Sequence, residues 1–142
     1  MNYTALDIAR YIITYYYKRS KPINNLRLQQ ILYFLWLNFY KQTGRNLFSD
    51  NFCAWSLGSV VSAVYNEFCV YAGIPILKKY EVNINDNDAV VIDNILEKYT
   101  YCSTYDLINQ SHVSSGAWDT TYDNKKGIYH IIPFSLIRDL GK

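Results

Sequence analysis

Apolar residues at helical spacing predict a helix at the start of the chain. This helix runs from Ala5 to about Lys18, and Thr4 is placed to cap it with Asp7 three residues further on. One stripe along the helix is apolar and predicts its buried face. Its members are Leu6, Ala9, Ile13 and Tyr16.

A second predicted helix, from Leu26 to about Gln42, has no polar face in its middle. Asn25 can cap its start and Gly44 stands at a suitable position to end it. The segment Ile31–Leu37 is apolar on every side, and a helix without a wet side is normally buried all round. This is also the longest apolar run, and it falls well short of the roughly 20 residues that cross a bilayer. We therefore expect a central core helix, no membrane span and, without a signal-peptide pattern at the start, a cytoplasmic protein.

The rest of the chain alternates short helical patterns with turns. The predicted elements are an extended segment Asn51–Leu57, a turn at Gly58-Ser59, a helix from Val60 to Ala72, a short strand within residues 76–88, a helix from Ala89 to about Tyr101 capped by Asp88, a helix from Thr104 to about Gln110 capped by Ser103, a loop Ser114–Gly127, and a last helix from Pro133 to Leu140. The whole predicts one mainly α domain over residues 1–142. It has about five to six helices around a buried central helix, with one or two short strands.

Composition and charge narrow the functional classes. Half of the 142 residues are apolar, fifteen are Tyr, and the formal net charge is only +2. This is typical of a globular domain, and a small net charge argues against a nucleic-acid-binding protein unless the cations cluster. The basic residues form short groups, which we interpret as solvated loops and helix ends: Lys18, Arg19 and Lys21; Lys78 and Lys79; Lys125 and Lys126.

The cysteines and histidines do not form a recognisable chemical motif. Cys53, Cys69 and Cys102 are odd in number and widely spaced, which favours reduced, mostly buried thiols over a disulfide framework. Their spacing to His112 and His130 is irregular for a metal site. Pairing a cysteine with His112 as nucleophile and base is the weakest alternative, a small hydrolase. The sequence thus predicts a protein that is not an enzyme, with no catalytic residue, metal or cofactor.

Two polar positions and one turn allow more than one interpretation. Gln29 and Tyr33 lie four residues apart on one face of the second helix, so they either face a partner or satisfy buried backbone near Trp55. The turn around Gly58 precedes a helix start, where an anion could bind, but a single glycine is far from a phosphate-binding loop. We favour structural roles for all of these.

The tyrosines are the best candidates for a contact surface. Tyr15, Tyr16 and Tyr17 are consecutive, about 100° apart on a helix, so they cannot all face one core. Tyr101 belongs to a second tyrosine group later in the chain. Exposed tyrosine is enriched at protein interfaces, so at least one ring of each group is a candidate for partner contact.

Four stretches in order resemble the Panacea domain, also described as SocA-like or GepA-like and phage-associated. They are the segments 5–12 (ALDIARYI), 26–34 (LRLQQILYF), 52–65 (FCAWSLGSVVSAVY) and the later Ser111-His112 with Trp118. The chain departs from the family pattern at four positions. Gln30 replaces a Lys, and Ser59, Ser62 and Ala117 replace prolines.

The resemblance implies a helical antitoxin that neutralises a toxin encoded nearby by direct contact, or by adaptor delivery to a protease. It implies structural roles for the motif residues Gln29, Tyr33, Trp55, Gly58, His112 and Trp118. The candidates for partner binding are Tyr16, Tyr17, Gln30 and Tyr101. The main alternative is a phage- or mobile-element-encoded inhibitor of a host defence nuclease on the same scaffold. A nucleic-acid-binding regulator is disfavoured by the charge, and a homodimer stays open.

Overall fold

The computed structural model describes residues 3–141 and is mainly helical, which confirms the predicted fold class. The elements are α1 (Ala5–Lys18), α2 (Asn25–Thr43), β1 (Phe52–Trp55), β2 (Gly58–Val60), α3 (Ser62–Phe68), α4 (Asp86–Tyr99), α5 (Thr104–Ser111), α6 (Ala117–Tyr122), β3 (Ile131–Ile132) and α7 (Phe134–Leu140). A single 3₁₀ turn, Cys69–Tyr71, follows α3.

Helix α2 is the central element, as its all-round apolar pattern predicts. It contacts α1, α3, α4, α5, α7 and β2, and the side chains of Leu35 and Trp36 are fully buried. The Trp36 indole stacks on Phe134, with ring centroids 4.9 Å apart. Its Nε1 donates to the Phe48 carbonyl oxygen at 3.0 Å, so the polar group of this buried ring is satisfied.

The ends of the first two helices follow local sequence signals. Thr4 and Asp7 form the predicted capping box of α1. Gly44 ends α2 with φ of 73°, a left-handed conformation that glycine adopts without steric cost. The predicted cap of α2 is wrong by one residue, since Asn24 accepts the N–H of Arg27. Asn25 instead turns inward.

Three strands form a small antiparallel sheet in the order β2-β1-β3. Ala54 of β1 faces Ser59 of β2, and Phe52 faces Ile132 of β3. These four side chains are buried. The sequence does not predict the third strand, because a two-residue strand is defined only by its partner, which lies about eighty residues earlier in the chain.

Other boundaries differ from the prediction in the second half. Gly58-Ser59 is part of β2 rather than a turn into a helix, so α3 begins only at Ser62. No strand forms within residues 76–88, where Ile76 instead donates its backbone N–H to the Ile23 carbonyl oxygen at 2.8 Å. The predicted loop Ser114–Gly127 contains α6, which packs against β1, β3 and α7. Tertiary contacts override weak local propensity at these sites.

The start of α4 also differs. Asn85 caps the helix by accepting the N–H of Asn87, so Asp88 is not its N-cap. Asp88 is buried and accepts a hydrogen bond from the Tyr3 hydroxyl at 2.7 Å. It also forms an ion pair with Arg45. This acidic residue therefore ties α4 to the start of the chain and to the end of α2.

Candidate functional site

The motif residues converge on the turn between β1 and β2, although the sequence separates them widely. Trp118 Nε1 donates to the Trp55 carbonyl oxygen at 2.8 Å. Gln30 Nε2 donates to the Leu57 carbonyl oxygen, also at 2.8 Å. These two side-chain hydrogen bonds anchor the turn and the adjoining end of β1 to α2 and α6. We refer to residues 55–58 with Gln30 and Trp118 as the hairpin cluster.

Gly58 is required at its position for two reasons. Its φ of 136° is a conformation that residues with a side chain rarely adopt. A Cβ there would also lie 2.7 Å from Gln30 Nε2, too close for any real contact. The contacts thus support a fold-defining role for this glycine rather than an anion-binding loop.

Gln29 lies beside the hairpin cluster and satisfies buried backbone. Its Oε1 accepts the Val61 N–H at 3.2 Å, and its Nε2 donates to Asn25 Oδ1 at 3.1 Å. The Val61 N–H lies at the start of α3, where a helix leaves its first donors without internal partners. Of the two interpretations of Gln29, the contacts support the structural one.

Tyr33 lies one turn after Gln29 and is buried among aromatic rings. Its ring meets those of Phe34 and Phe52 edge to face, with centroids 5.3 Å and 5.5 Å apart. Burial raises the pKa of the Tyr33 hydroxyl to about 12. The ring therefore acts as a packing element between α2 and β1.

His112 and Trp118 form a stack of parallel rings. Their centroids are 3.7 Å apart at an interplanar angle of 5°, and Tyr122 continues the stack at 4.5 Å. Burial lowers the pKa of His112, while the backbone of Leu57 acts in the opposite direction. Within the described part of the chain, the buried Nε2 has no hydrogen-bond partner. The imidazole is therefore held neutral and acts as a flat surface for Trp118.

A cavity of about 300 Å³ opens between the hairpin and α2. Trp55 lies in its wall with its ring edge-on to Tyr65, at a centroid separation of 4.7 Å. Leu26 and Leu57 line the mouth and are 36% and 53% exposed. The amides of Gln29, Gln30 and Asn25 form its polar floor.

Two of the four candidates for partner binding are buried, which corrects the expectation that they face a partner. Tyr16 is 1% exposed because its ring packs between α1 and α4, and its hydroxyl donates to the Leu96 carbonyl oxygen at 2.6 Å. Gln30 is also 1% exposed, because its amide is used by Leu57 and Ser111. Neither side chain is available at the surface of the folded domain.

The other two candidates are at the surface. Tyr17 is 36% exposed and Tyr101 is 80% exposed, and Tyr105 close by in sequence is 72% exposed. Lys21 connects the end of α1 to the later tyrosines, because its Nζ lies 4.9 Å from the centre of the Tyr101 ring. We call the set of Tyr17, Lys21, Tyr101 and Tyr105 the tyrosine end, because Lys21 contacts Tyr101 and the other two exposed tyrosines each lie four residues from one of them in the sequence.

The sequence did not reveal that two cations lie beside these tyrosines. The sequence predicts a solvated loop around Lys21 and gives no reason to single out Arg27. Both line one cavity with Tyr101, about eighty residues later in the chain. The only local signal was the basic group after α1, and a single sequence does not show what faces it.

The structure adds little chemistry around the cysteines. Cys69 is exposed, while Cys53 and Cys102 are half-buried, so the expectation of mostly buried thiols is wrong. No group of three or more His, Cys, Asp or Glu side chains that could hold a metal comes together within residues 3–141. In the same range no helix has both the length and the apolar character needed to cross a bilayer.

Comparisons with known proteins agree with the motif positions. A family model described as "Antitoxin SocA-like, Panacea domain" matches residues 28–119, which include the hairpin cluster and His112. Antitoxin SocA of Caulobacter vibrioides (strain NA1000 / CB15N) is 32% identical, with 69% of this chain and 59% of that protein covered. The chain thus spans about three fifths of the length of this curated relative. No solved structure matches this chain. The chain belongs to the SocA-like antitoxin family, defined by the Panacea domain.

Proposed function

We propose that this protein is a cytoplasmic antitoxin that neutralises a toxin, encoded by a neighbouring gene, through direct contact. Family membership supports the antitoxin class. The mechanism is occlusion, in which the antitoxin covers the surface that the toxin needs for its activity. Such an inhibitor works stoichiometrically and needs no catalytic residue of its own.

The tyrosine end is the observation that carries this proposal. Its three tyrosines are 36%, 80% and 72% exposed, although large aromatic side chains are normally well covered in a folded domain. Exposed tyrosine offers a large contact area at low cost in conformational entropy. A tight complex through this surface would bury an area near the usual value of roughly 1,600 Å².

Most of the motif residues are occupied with the fold rather than with a partner. Gln29, Gln30 and Trp118 direct their polar groups at backbone atoms or at other side chains of this chain. These contacts support a structural role for the family pattern, and in this proposal the contact surface uses residues that the pattern does not include. A shared scaffold with a variable surface suits a family that meets different toxins.

Co-expression with the neighbouring gene tests the proposal. We expect the neighbour alone to stop growth, and this chain to restore growth and to co-purify with the neighbour in a defined complex. Tyr101→Ala and Tyr105→Ala should weaken the purified complex by about tenfold or more each if the rings are central contacts. Val90→Ala, at a 62% exposed position in the middle of α4, is the matched control and should leave the affinity unchanged.

Two results would contradict the proposal. Normal growth with the neighbour alone would remove the toxin, and would favour the alternative inhibitor of a defence nuclease. Full binding by a Tyr101→Ala, Tyr105→Ala double variant would show that the toxin docks elsewhere. Sedimentation of the free chain and of the complex would establish the stoichiometry, including whether a homodimer forms.

A further inference from the structure

A cavity of about 310 Å³ lies at the tyrosine end, between the segment after α1, the start of α2 and the connection from α4 to α5. Its walls are unusual in charge, because they contain two cations and no carboxylate. The lining residues are Tyr16, Lys21, Pro22, Ile23, Arg27, Thr100, Tyr101 and Cys102.

Arg27 is held in a fixed orientation. Its guanidinium donates to Thr104 Oγ1 at 3.2 Å and to the Tyr99 carbonyl oxygen at 2.9 Å. Both acceptors are neutral, and a guanidinium has five N–H donors in a rigid planar fork. The donors that remain can therefore meet a carboxylate without a further loss of side-chain freedom.

Lys21 provides the second cation and is exposed. Its ammonium lies 4.9 Å from the centre of the Tyr101 ring, a cation–π contact that holds it without neutralising its charge. The ion pairs of the described chain are Arg10 with Glu67 and Arg45 with Asp88. Lys21 and Arg27 thus have no carboxylate partner within residues 3–141.

We infer that this cavity receives carboxylate side chains from an acidic segment of the partner protein. The inference deepens the proposed function and rests on it. A carboxylate can accept two parallel hydrogen bonds from the Arg27 fork while Lys21 adds a second charge, and Tyr101 and Tyr105 contact the apolar parts of the same segment. Charge complementarity would then select the partner, and the tyrosines would supply most of the contact area.

The charge distribution favours an acidic protein segment over a nucleic acid. A phosphate backbone is recognised by a track of several cations that follows its length. Here Glu97, in the last turn of α4, and Asp106, in the first turn of α5, lie on the two helices that border the cavity. The net charge of the chain is only +2. A discrete cavity with two cations suits one or two carboxylates better than a polyanion.

The first experiment uses a synthetic probe, since no toxin is needed for it. A fluorescein-labelled decapeptide of alternating Glu and Tyr is titrated with the protein and followed by fluorescence anisotropy, beside a matched peptide in which every Glu is Gln. We expect saturable binding of the Glu peptide. Binding of the Gln peptide should be weaker by about tenfold or more, because its neutral amides cannot form charge-assisted hydrogen bonds with Arg27 and Lys21.

Variants locate the site. Lys21→Gln should weaken the binding of the Glu peptide several-fold. Because Lys21 is exposed, we expect this variant to keep the native fold. Lys126→Gln, at an exposed position between α6 and β3, is the matched control and should bind as the unmodified protein does. Arg27→Gln should abolish binding. Arg27 also ties α2 to α4 and α5, so circular dichroism must first show that the Arg27 variant has native helicity. If it does not, the Lys21 variant alone tests whether the peptide binds in this cavity.

The Cys102 thiol gives a local readout, since it lines the cavity while Cys69 lies exposed elsewhere. Alkylation followed by mass spectrometry should show Cys102 protected by the Glu peptide and Cys69 reacting at an unchanged rate. Equal alkylation of Cys102 with and without the peptide would overturn the inference. The inference would also be overturned if a single-stranded DNA of about 20 nucleotides bound more tightly than the peptide and Lys21→Gln weakened that binding. This result would indicate a nucleic-acid site.

This inference can fail while the proposed function holds. One such result is that the Lys21→Gln variant and a folded Arg27→Gln variant both bind the toxin with full affinity while Tyr101→Ala does not. In that case the tyrosines contact the toxin, but no toxin carboxylate enters the cavity. If the neighbouring gene is harmless but the Glu peptide binds as described, the cavity is confirmed and the antitoxin role is wrong.

Discussion

The indole nitrogen of Trp118 lies 2.8 Å from the backbone carbonyl oxygen of Trp55 and donates a hydrogen bond to it, across 63 residues of sequence. This bond joins α6 to the end of β1. With the bond from Gln30 to Leu57, it explains why family motifs far apart in the sequence belong together. Each motif supplies a side chain that hydrogen-bonds to a carbonyl oxygen of the same four-residue turn, so the two bonds anchor this turn to α2 and α6.

Trp118→Phe should lower the free energy of unfolding by about 0.5–1.5 kcal/mol, because the Trp55 carbonyl oxygen loses the hydrogen bond from the indole N–H. Phe keeps an aromatic ring for the stack on His112. Urea unfolding followed by circular dichroism measures the change. Tyr105→Phe is the control, since this exposed side chain should change stability by less than about 0.5 kcal/mol. An equal effect of both substitutions would contradict a specific role for the indole N–H.

Gly58→Ala should destabilise the protein both by backbone strain and by the close approach of the new Cβ to the Gln30 amide. Gln30→Ala should also destabilise, because the Leu57 carbonyl oxygen loses its donor. In the double variant the clash is gone and the strain is not. We therefore expect the double variant to lose less free energy of unfolding than the two single variants together, by about 0.5–3 kcal/mol.

Urea unfolding of all four proteins completes this double-mutant cycle. Gly73→Ala is a useful control, since a Cβ there would meet no atom within 4 Å. Strict additivity of the Gly58 and Gln30 substitutions would show that the amide and the glycine do not interact.

The lowered pKa of His112 predicts that the protein loses stability in mildly acidic solution. Its pKa is lowered in the folded protein from the ordinary 6.5, chiefly by burial, so the unfolded chain binds the proton first as the pH falls. The free energy of unfolding should therefore decrease from about pH 6.5 down to the lowered pKa, and level off below it as far as this group is concerned. His112→Gln should reduce this slope in denaturant titrations between about pH 7.5 and pH 5. An unchanged slope would show that His112 is protonated equally in both states.

The lowered pKa of Asp88 predicts a second, separate decrease in the free energy of unfolding at lower pH. Burial alone would raise its pKa, but hydrogen bonds from Tyr3 and Arg45 outweigh burial and hold the pKa below 3.8. The stability from the ionised form is thus present above about pH 3.8 and is lost as the pH falls through the lowered pKa. Asp88→Asn should cost about 1–3 kcal/mol at neutral pH, measured by urea unfolding. Asp86→Asn, exposed in the same turn, should cost less than about 0.5 kcal/mol.

The helices of the first third could be predicted closely because their signals are local. The capping box of Thr4 and Asp7 and the glycine after α2 act within one helical turn. The burial of α2 was also readable, since a helix with apolar residues on every face has no stable alternative in water. The family motifs identified the scaffold, and the structural roles expected for Gln29, Gly58 and Trp118 agree with their contacts.

The candidate contact surface could be predicted only in part. The sequence required that at least one of Tyr15, Tyr16 and Tyr17 be exposed, and Tyr17 is. It could not specify that α4 covers Tyr16, because the contact between the Tyr16 hydroxyl and the Leu96 carbonyl joins residues 80 apart. The burial of Gln30 is hidden from the sequence for a similar reason, since its partners Leu57 and Ser111 come from two other parts of the chain.

The sequence by itself determined the fold class, the central helix and the family, because helical periodicity, caps and short motifs are encoded by residues close together in the chain. Only the tertiary structure decided which side chains of a helix face the solvent and which distant charges share a cavity. The third strand and the pairing of Lys21 with Tyr101 are of this second kind. Both depend on the packing of whole elements, and this packing is set by the sum of many weak contacts rather than by any local pattern.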